Sequence, residues 1–175
     1  MFELVIFLAL SCFLFTVLRG APFVPSKKKY VKQAFKDLYT PRSGDVLLDI
    51  GSGTGTVLKA SIDLGFKKTI GFELNPLLVL YSRLYLYKYA KDKRVKIYCR
   101  DFLLAKIPEG ITFFYCFGVE NFVEKALIKI QDYSNSQNRE IYFMSLAFKS
   151  SAYKPERSNG LYYLYKISPC KKAKP

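Results

Sequence analysis

The stretch LLDIGSGTGTVLK, residues 47–59, decides the fold of this chain. Its first four residues are apolar apart from Asp49, as in a parallel strand that is buried on both faces. Glycines then stand at every second position, Gly51, Gly53 and Gly55. Because glycine adopts positive φ and lets the backbone approach a ligand closely, the stretch predicts a strand, a ligand-contacting turn and a helix.

Two kinds of ligand site use a glycine turn of this kind. A dinucleotide site has the spacing GxGxxG, and Thr56 stands here where its third glycine would be. The order DxGxGxG, which begins at Asp49, instead matches sites for S-adenosylmethionine. A turn that is merely tight, without a ligand, is the remaining alternative for this stretch alone.

Acidic residues at the ends of the next two predicted strands point to the same ligand. Glu73 ends the second strand, where its carboxylate can accept hydrogen bonds from both ribose hydroxyls. Asp101 follows the third strand, in position for the adenine amino group, with Phe102 beside the ring. Each carboxylate has an alternative role as a solvated residue at a strand end, but the signals occur in the expected order. Together they predict S-adenosylmethionine as the cofactor, with these candidate binding residues: Asp49, Gly51, Ser52, Gly53, Gly55, Glu73, Leu74, Asn75, Asp101 and Phe102.

Strand and helix signals alternate along the rest of the chain. Strands are predicted at Asp45–Ile50, Thr69–Glu73, Val95–Cys99, Ile111–Phe117, Glu140–Ala147 and Leu161–Ile167, and helices at Ser26–Leu38, Thr56–Leu64, Asn75–Ala90 and Asn121–Gln131. This alternation predicts a Rossmann-like α/β fold, with a mostly parallel sheet and helices on both faces. A turn at residues 158–160, Ser-Asn-Gly, predicts that the C-terminal strand is antiparallel.

Composition limits the chemistry. The chain has 175 residues, enough for one domain, and carries 28 Lys and Arg against 14 Asp and Glu, a formal net charge of +14. Such a charge favours nucleic acid or an acidic membrane surface as a partner, although a lysine-rich proteome would give the same value. There is no histidine, which excludes a histidine-based triad, a histidine general base and most catalytic zinc sites.

The cysteines predict no metal site. Cys12, Cys99, Cys116 and Cys170 are far apart and form no CxxC pair, so neither a zinc site nor a disulfide framework follows. A reducing compartment fits this pattern best. Cys116 is a poor candidate for the nucleophile of an RNA cytosine methyltransferase, because it lies inside a predicted strand.

The N-terminus differs from the remainder of the chain. Residues 4–18, LVIFLALSCFLFTVL, are apolar apart from Ser11 and Thr16. A 15-residue helix rises about 22 Å, against about 30 Å of bilayer hydrocarbon, and flanking residues can extend it. The chain starts with Met-Phe-Glu, without the positive charge of a signal peptide, whereas Arg19 and Lys27–Lys29 follow the apolar segment.

By the positive-inside rule, these charges place the remainder of the chain on the cytoplasmic side. We therefore predict a membrane helix over residues 1–20 and a catalytic domain over residues 21–175. An interfacial helix, a signal peptide and a core helix are the alternatives. No transit peptide is visible, which favours the bacterial inner membrane over the mitochondrion.

Several motifs resemble one family in particular. They are Pro22-Phe23-Val24-Pro25, Asp49–Gly53, Gly71–Pro76, Tyr81–Arg83 and Phe117–Val119. They are similar to motifs of the small membrane-anchored lysine methyltransferases, whose mitochondrial members modify the c-ring protein of ATP synthase and the adenine nucleotide translocase, and to bacterial relatives. The resemblance covers residues 20 to about 130. It implies a class I methyltransferase fold, S-adenosylmethionine as methyl donor and a protein lysine as acceptor, with membrane proteins among the candidate substrates.

The resemblance also implies where the acceptor binds. The PFVP segment and the loop after the fourth strand would shape the pocket, with these candidates: Phe23, Tyr115, Phe117, Glu120 and Asn121. Core positions are the alternative for the Tyr115 and Phe117 side chains, and an ordinary helix start is the alternative for Glu120. No catalytic base is identified.

This sequence departs from the family on the acceptor side. Glu120 stands where the family often has Pro, and residues 148–151, Phe-Lys-Ser-Ser, replace a Pro-rich stretch. Thr54 replaces a usual Asp in the glycine turn. The Asn/Asp-Pro-Pro-Tyr/Phe signature after the fourth strand is absent, which argues against adenine and glutamine amide acceptors. RNA, a small molecule or a lipid, and cofactor binding without catalysis remain the alternative functions.

Overall fold

The predicted alternation of strands and helices is present in the computed structural model, which describes residues 28–170. In chain order, the elements are α1 (Lys28–Leu38), β1 (Val46–Ile50), α2 (Thr56–Asp63), β2 (Lys68–Glu73), α3 (Pro76–Tyr85), α4 (Tyr87–Lys91), β3 (Val95–Cys99), β4 (Phe113–Phe117), α5 (Glu120–Gln137), β5 (Ile141–Leu146), β6 (Arg157–Asn159) and β7 (Tyr162–Ile167). The membrane helix predicted over residues 1–20 lies outside the described residues, as does Phe23. Between residues 28 and 170, no helix is long and apolar enough to cross a membrane.

The strands form one mixed sheet in the order β3-β2-β1-β4-β5-β7-β6. The first five of these strands are parallel to one another, and β7 is antiparallel to both β5 and β6. The prediction of a mostly parallel sheet with an antiparallel C-terminal strand is confirmed. Because the chain moves outward from β1 to β3 and then returns to β4 beside β1, the strand order reverses between β1 and β4. A crevice forms at the carboxyl ends of strands where the order reverses in this way.

The core has one layer on each face of the sheet. Neighbouring residues Leu47 and Leu48 of β1 are both fully buried, on opposite faces. On one face, Phe35 of α1 contacts the rings of Phe66 and Phe113, with centroids 5.5 and 5.2 Å away. On the other face, α5 packs on β4, β5 and β7. Burying each such large side chain contributes about 1.5–3 kcal/mol to stability. A strand buried on both faces, as β1 is, therefore has consecutive apolar residues, and this is why its apolar run predicted a central strand.

Two local predictions need correction. The helix predicted to reach Ala90 is interrupted at Leu86, whose φ and ψ are −104° and 15°. Residues 158 and 159, predicted as part of a turn, belong to the edge strand β6, where the Asn159 amide donates a 2.7 Å hydrogen bond to Asp37 of α1. This strand escaped prediction because all three of its residues are exposed polar side chains without an apolar alternation.

The residue after β5 has a strained backbone. Ala147 has φ of +73°, and its N–H donates a 2.8 Å hydrogen bond to the Leu161 carbonyl. This bond holds the β5 end against the β6–β7 hairpin. In the left-handed region, the Cβ of a residue other than glycine costs on the order of 1 kcal/mol.

We expect Ala147→Gly to raise the free energy of unfolding by about 0.5–1 kcal/mol, because relief of the strain outweighs the entropy that glycine adds to the unfolded chain. Ala152→Gly is the matched control, since Ala152 is exposed in the same loop and is not at positive φ. The control should lose stability by a few tenths of a kcal/mol or more. Urea unfolding of the two variants gives both values, and a loss of stability in Ala147→Gly would contradict the assigned strain.

Candidate active site

The glycine turn after β1 folds back over the neighbouring strand β2. Gly51, Gly53 and Gly55 all have positive φ, of +76°, +51° and +81°. The N–H groups of Gly51 and Ser52 donate to the Phe72 carbonyl at 2.8 and 3.0 Å. A Cβ added at Gly51 would meet no atom within 4 Å. The backbone is therefore open on that side, where a ligand can approach it closely.

Glu73 joins three elements of the site. It ends β2 and is 8% exposed. Its Oε2 accepts a 2.8 Å hydrogen bond from the Gly53 N–H, and its Oε1 accepts another, also of 2.8 Å, from the Asn75 N–H. One carboxylate thus holds the glycine turn to the beginning of α3. Because each carboxylate oxygen has two lone pairs, Glu73 can still accept hydrogen bonds from hydroxyl groups of a ligand.

Asn75 begins α3 as the sequence predicts. Its side-chain Oδ1 accepts hydrogen bonds from the N–H groups of Leu77 and Leu78, at 2.9 and 3.4 Å, and Pro76 occupies the first helical position. This cap satisfies backbone donors that would otherwise lack partners at the helix start. Leu74, between Glu73 and Asn75, is half-buried. Three of the predicted cofactor residues thereby lie in one short segment at the carboxyl edge of the sheet.

Asp49 is a buried carboxyl group whose hydrogen bonding is incomplete. It is 2% exposed, and its Oδ2 has no hydrogen-bond partner. Burial, followed by the charge of nearby Glu73, raises the pKa of Asp49 well above its usual range. The buried hydroxyl of Ser52 also lacks a partner. Unpaired buried polar atoms cost about 1–3 kcal/mol each, and both belong to the motif that predicted a ligand.

Asp101 and Phe102 follow β3 but face different surroundings. Asp101 is half-buried, and its Oδ1 accepts a 2.8 Å hydrogen bond from the Leu103 N–H. Phe102 is 3% exposed, with its ring 6.1 Å from that of Phe114 and the Lys129 ammonium 5.3 Å from its centre. The Phe102 ring therefore belongs to the core. Its contact with an adenine ring stays a prediction.

The acceptor-side candidates divide into two groups. Tyr115 is 1% exposed and stacks on Phe35 at 6.4 Å, so its side chain lies in the core, the alternative that the sequence left open. Phe117 is half-buried at the carboxyl end of β4. Glu120 and Asn121 are exposed at the start of α5, immediately beyond that strand end. The structure therefore brings Phe117, Glu120 and Asn121 to the crevice edge of the sheet.

Cys116 is unsuited to act as a nucleophile. It is fully buried inside β4, and burial followed by the charge of Asp49 raises the pKa of its thiol. The reactive species of a cysteine is the thiolate, which both influences disfavour. Within the part of the chain that the structure describes, no group of three or more Cys, Asp or Glu side chains could hold a metal ion.

Gly71 and Leu86 pack against the glycine turn and were not predicted as site residues. A Cβ added at Gly71 of β2 would lie 2.5 Å from the Ser52 Oγ and 2.9 Å from the Leu58 Cδ1. At Gly55, a Cβ would lie 2.8 Å from the Cδ1 of Leu86, the residue that interrupts the long helix. A glycine inside a predicted strand is the sequence signal for such a close approach, and it was available at Gly71.

We expect Gly71→Ala to lower the free energy of unfolding by about 1–3 kcal/mol, because the added methyl group forces Ser52 and Leu58 to move. Gly44→Ala is the control, since a Cβ there meets no atom within 4 Å and its φ is not positive. Gly44→Ala should change stability by less than about 0.5 kcal/mol. Equal urea midpoints for the two variants would show that the glycine turn does not pack on β2.

We expect Asp49→Asn to stabilise the ligand-free protein by about 1–3 kcal/mol at pH 8, because the buried carboxylate is replaced by a neutral group of the same shape. The folded state raises the pKa of Asp49, so the stability of the parent falls as pH rises from about 4 through that folded pKa. The gain from Asn should therefore be larger at pH 8 than at pH 5. Urea unfolding at both values tests this, with exposed Asp92→Asn as control. A gain that is equal at the two pH values would show that Asp49 does not titrate abnormally.

No protein-family model matches the chain. The human lysine N-methyltransferase of the ATP synthase c-ring protein is 39% identical over 80 residues, which are 46% of this chain and 33% of that protein. The match therefore spans about a third of the length of the relative.

Solved structures match a larger part of the chain. An RNA methyltransferase from Salinibacter ruber in complex with S-adenosyl-L-homocysteine superimposes with a TM-score of 0.68 and 21% identity, over 86% of this chain and 97% of the other. Mitomycin 7-O-methyltransferase superimposes with a TM-score of 0.57 and 16% identity, over 82% of this chain and 53% of the other. This chain has the Rossmann-like fold of class I methyltransferases.

Proposed function

We propose that this protein is a methyltransferase that uses S-adenosylmethionine. The observation that carries the proposal is the carboxylate of Glu73, which sits at the end of β2 and is hydrogen-bonded to the Gly53 N–H of the open glycine turn. The cofactor supplies an electrophilic methyl group on a sulfonium, with a neutral thioether as leaving group. The partial similarity to lysine methyltransferases and the shared fold support this assignment.

The residues present fit the chemical groups of that cofactor. Glu73 has free lone pairs for ribose hydroxyls, and Asp101 lies at the next strand end for an exocyclic amine. The unpaired Oδ2 of Asp49 is a buried acceptor that a cationic ammonium would satisfy. Such a cation would also favour the ionised form of Asp49, which the ligand-free fold disfavours. The backbone of Gly51 leaves room for the ligand on its open side.

The proposed acceptor is a protein lysine. A lysine amine attacks only when neutral, and at pH 7.4 its deprotonation costs about 4 kcal/mol from a reference pKa near 10.4. The proton can leave to water before methyl transfer, so a chain without histidine can perform the reaction. Positioning of the amine is then the main requirement. Phe117, Glu120 and Asn121 at the crevice edge are the described residues in place to provide it.

The proposed location is the cytoplasmic face of a membrane, most simply the bacterial inner membrane. Its support is the apolar sequence of residues 4–18 and the positive charges that follow it. In this assignment residues 1–20 form the anchor and residues 21–175 the methyltransferase domain. An anchored enzyme would meet substrates that are themselves membrane proteins, as the resemblance to lysine methyltransferases of membrane targets implies.

RNA is the second candidate acceptor. The formal charge of +14 favours it, because lysine and arginine contacts with phosphates supply most of the affinity for nucleic acid. An anchor would hold the protein away from soluble RNA, which ranks this function second. The fold does not discriminate, since it is shared by RNA and small-molecule methyltransferases.

Transfer of a radiolabelled methyl group tests the proposal. The full chain is incubated with labelled S-adenosylmethionine and with membrane and soluble fractions of a host cell. We expect protease-sensitive label in a membrane protein, and Glu73→Ala should reduce it about 100-fold or more, because two charge-assisted hydrogen bonds are lost. Exposed Glu156→Ala is the matched control and should keep full activity.

The other outcomes assign the function differently. Nuclease-sensitive label would identify an RNA methyltransferase, and solvent-extractable label would identify a lipid or small-molecule acceptor. Cofactor binding by calorimetry without any transfer would contradict the enzyme proposal. If Glu73→Ala fails to fold by circular dichroism, Glu73→Gln takes its place, since the amide keeps an acceptor oxygen for one of the two N–H groups and removes the charge and the second acceptor.

A further inference from the structure

Helix α3 has its large apolar side chains on the solvent side. Of its residues, Val79 and Ser82 are buried. The exposed side chains include leucines and tyrosines that are 49–69% exposed and continue into α4: Leu77, Leu80, Tyr81, Leu84, Tyr85 and Tyr87. We call these six residues the α3–α4 face. A surface helix of a soluble protein normally shows the opposite arrangement.

The residues of this face that lie on α3 form one stripe. The first five stand at positions i, i+3, i+4, i+7 and i+8, which share one side of a helix. The rings of Tyr81 and Tyr85 stack with centroids 6.2 Å apart. Single exposed apolar residues are ordinary, whereas a contiguous apolar patch marks a contact surface.

The stripe is rigidly attached to the domain. The Arg83 guanidinium, on the same helix, donates two hydrogen bonds to the Ile97 carbonyl of β3, at 2.6 and 3.1 Å. Asn75 caps the beginning of α3, and its own N–H donates to the Glu73 carboxylate. The α3–α4 face therefore starts at the carboxyl edge of the sheet, beside the proposed cofactor site.

The segment of the chain that carries the stripe is strongly basic, which indicates what it contacts. Residues 74–100 contain one acidic residue, Asp92, and these seven basic ones: Arg83, Lys88, Lys91, Lys93, Arg94, Lys96 and Arg100. This is the composition of a helix that lies in a membrane interface. In such a helix leucines enter the hydrocarbon, tyrosines lie at the boundary between hydrocarbon and headgroups, and lysines contact anionic headgroups. Nucleic acid would use the basic residues but leave the leucines without a partner.

We propose that the α3–α4 face lies on the surface of a bilayer that contains anionic lipids. The leucines enter the boundary between headgroups and acyl chains, and the lysines contact lipid phosphates. This contact is separate from the proposed membrane helix in residues 1–20. It fixes the orientation of the domain, so that the carboxyl edge of the sheet faces substrates close to the bilayer.

Photoactivatable lipids test this contact in the full chain. The protein is reconstituted in vesicles of phosphatidylcholine with about 30% phosphatidylglycerol. These vesicles also carry a diazirine on an acyl chain, and labelled peptides are mapped by mass spectrometry. We expect the peptides that contain Leu80, Leu84 and Tyr87 to be labelled about tenfold more than those that contain Leu104 and Ile128. The latter two are 80% and 58% exposed and apolar, so they are internal controls.

Variants and lipid composition separate the two membrane contacts. Leu80→Gln together with Leu84→Gln should reduce labelling of the Tyr87 peptide about fivefold. Leu104→Gln with Ile128→Gln should leave that labelling unchanged. Vesicles of phosphatidylcholine alone should lower labelling of the α3–α4 face, whereas labelling within residues 1–20 reports the proposed membrane helix independently.

Two results would overturn the proposal. One is label confined to residues 1–20, or equal on the α3–α4 face and at the internal controls. The other is protection of the face by protein, seen when a photoactivatable leucine incorporated at position 84 crosslinks to a second copy or to residues 1–20 in place of lipid. The outcome does not depend on methyl transfer, so it can fail while the proposed function stands, and the reverse.

Discussion

The two hydrogen bonds of the Glu73 carboxylate hold the site together. A buried carboxylate must be satisfied by donors, and here the donors are the N–H groups of Gly53 and Asn75. One belongs to the glycine turn after β1, and the other begins α3 after β2. The carboxylate thus fixes two separate connections at the edge where the strand order reverses. Ser52 of the glycine turn also packs closely against Gly71 of β2, which is a further contact between these two connections.

The same junction leaves other polar atoms unsatisfied. Asp49 and Ser52 are buried with atoms that lack partners, and the charge of Glu73 adds to the difficulty of ionising Asp49. A fold selected for stability alone would satisfy or remove these groups. Their position in the motif that predicts a cofactor explains their presence, because a cationic ligand would supply the missing donor. In the proposed function, stability of the ligand-free protein and affinity for the cofactor oppose each other at Asp49.

The α3–α4 face and the site are consequences of one connection. Asn75 both completes the hydrogen bonds of Glu73 and directs α3 along the outside of the domain. Since Val79, Ser82 and the Arg83 hydrogen bonds to β3 hold that helix on the sheet, its other side is free to carry leucine and tyrosine. The proposed lysine acceptor near a bilayer and the proposed contact of the α3–α4 face with that bilayer are compatible. The reason is that the crevice edge and the exposed stripe both begin near Asn75.

The sequence by itself determined the elements whose cause is local. The apolar run before Asp49, the alternate glycines and the Asn75-Pro76 helix start each have a physical signal within a few neighbouring residues. The structure places the glycines and the helix start at the carboxyl edge of the sheet, directly after β1 and β2. Tertiary structure decided what depends on distant partners. The short strand β6 exists because it pairs with β7 and contacts α1 through Asn159, although nothing in its own polar sequence favours a strand.

Burial was likewise decided at a distance. Tyr115 and Phe102 were predicted as candidate site residues, and only their packing on Phe35 and Phe114 shows that their rings lie in the core. The apolar pattern of α3 predicted that one side of the helix is apolar, but not whether that side faces the sheet or the solvent. Hydrophobic periodicity reports that one side of a helix differs from the other, whereas the sheet and the Arg83 bond to β3 decide which side faces solvent.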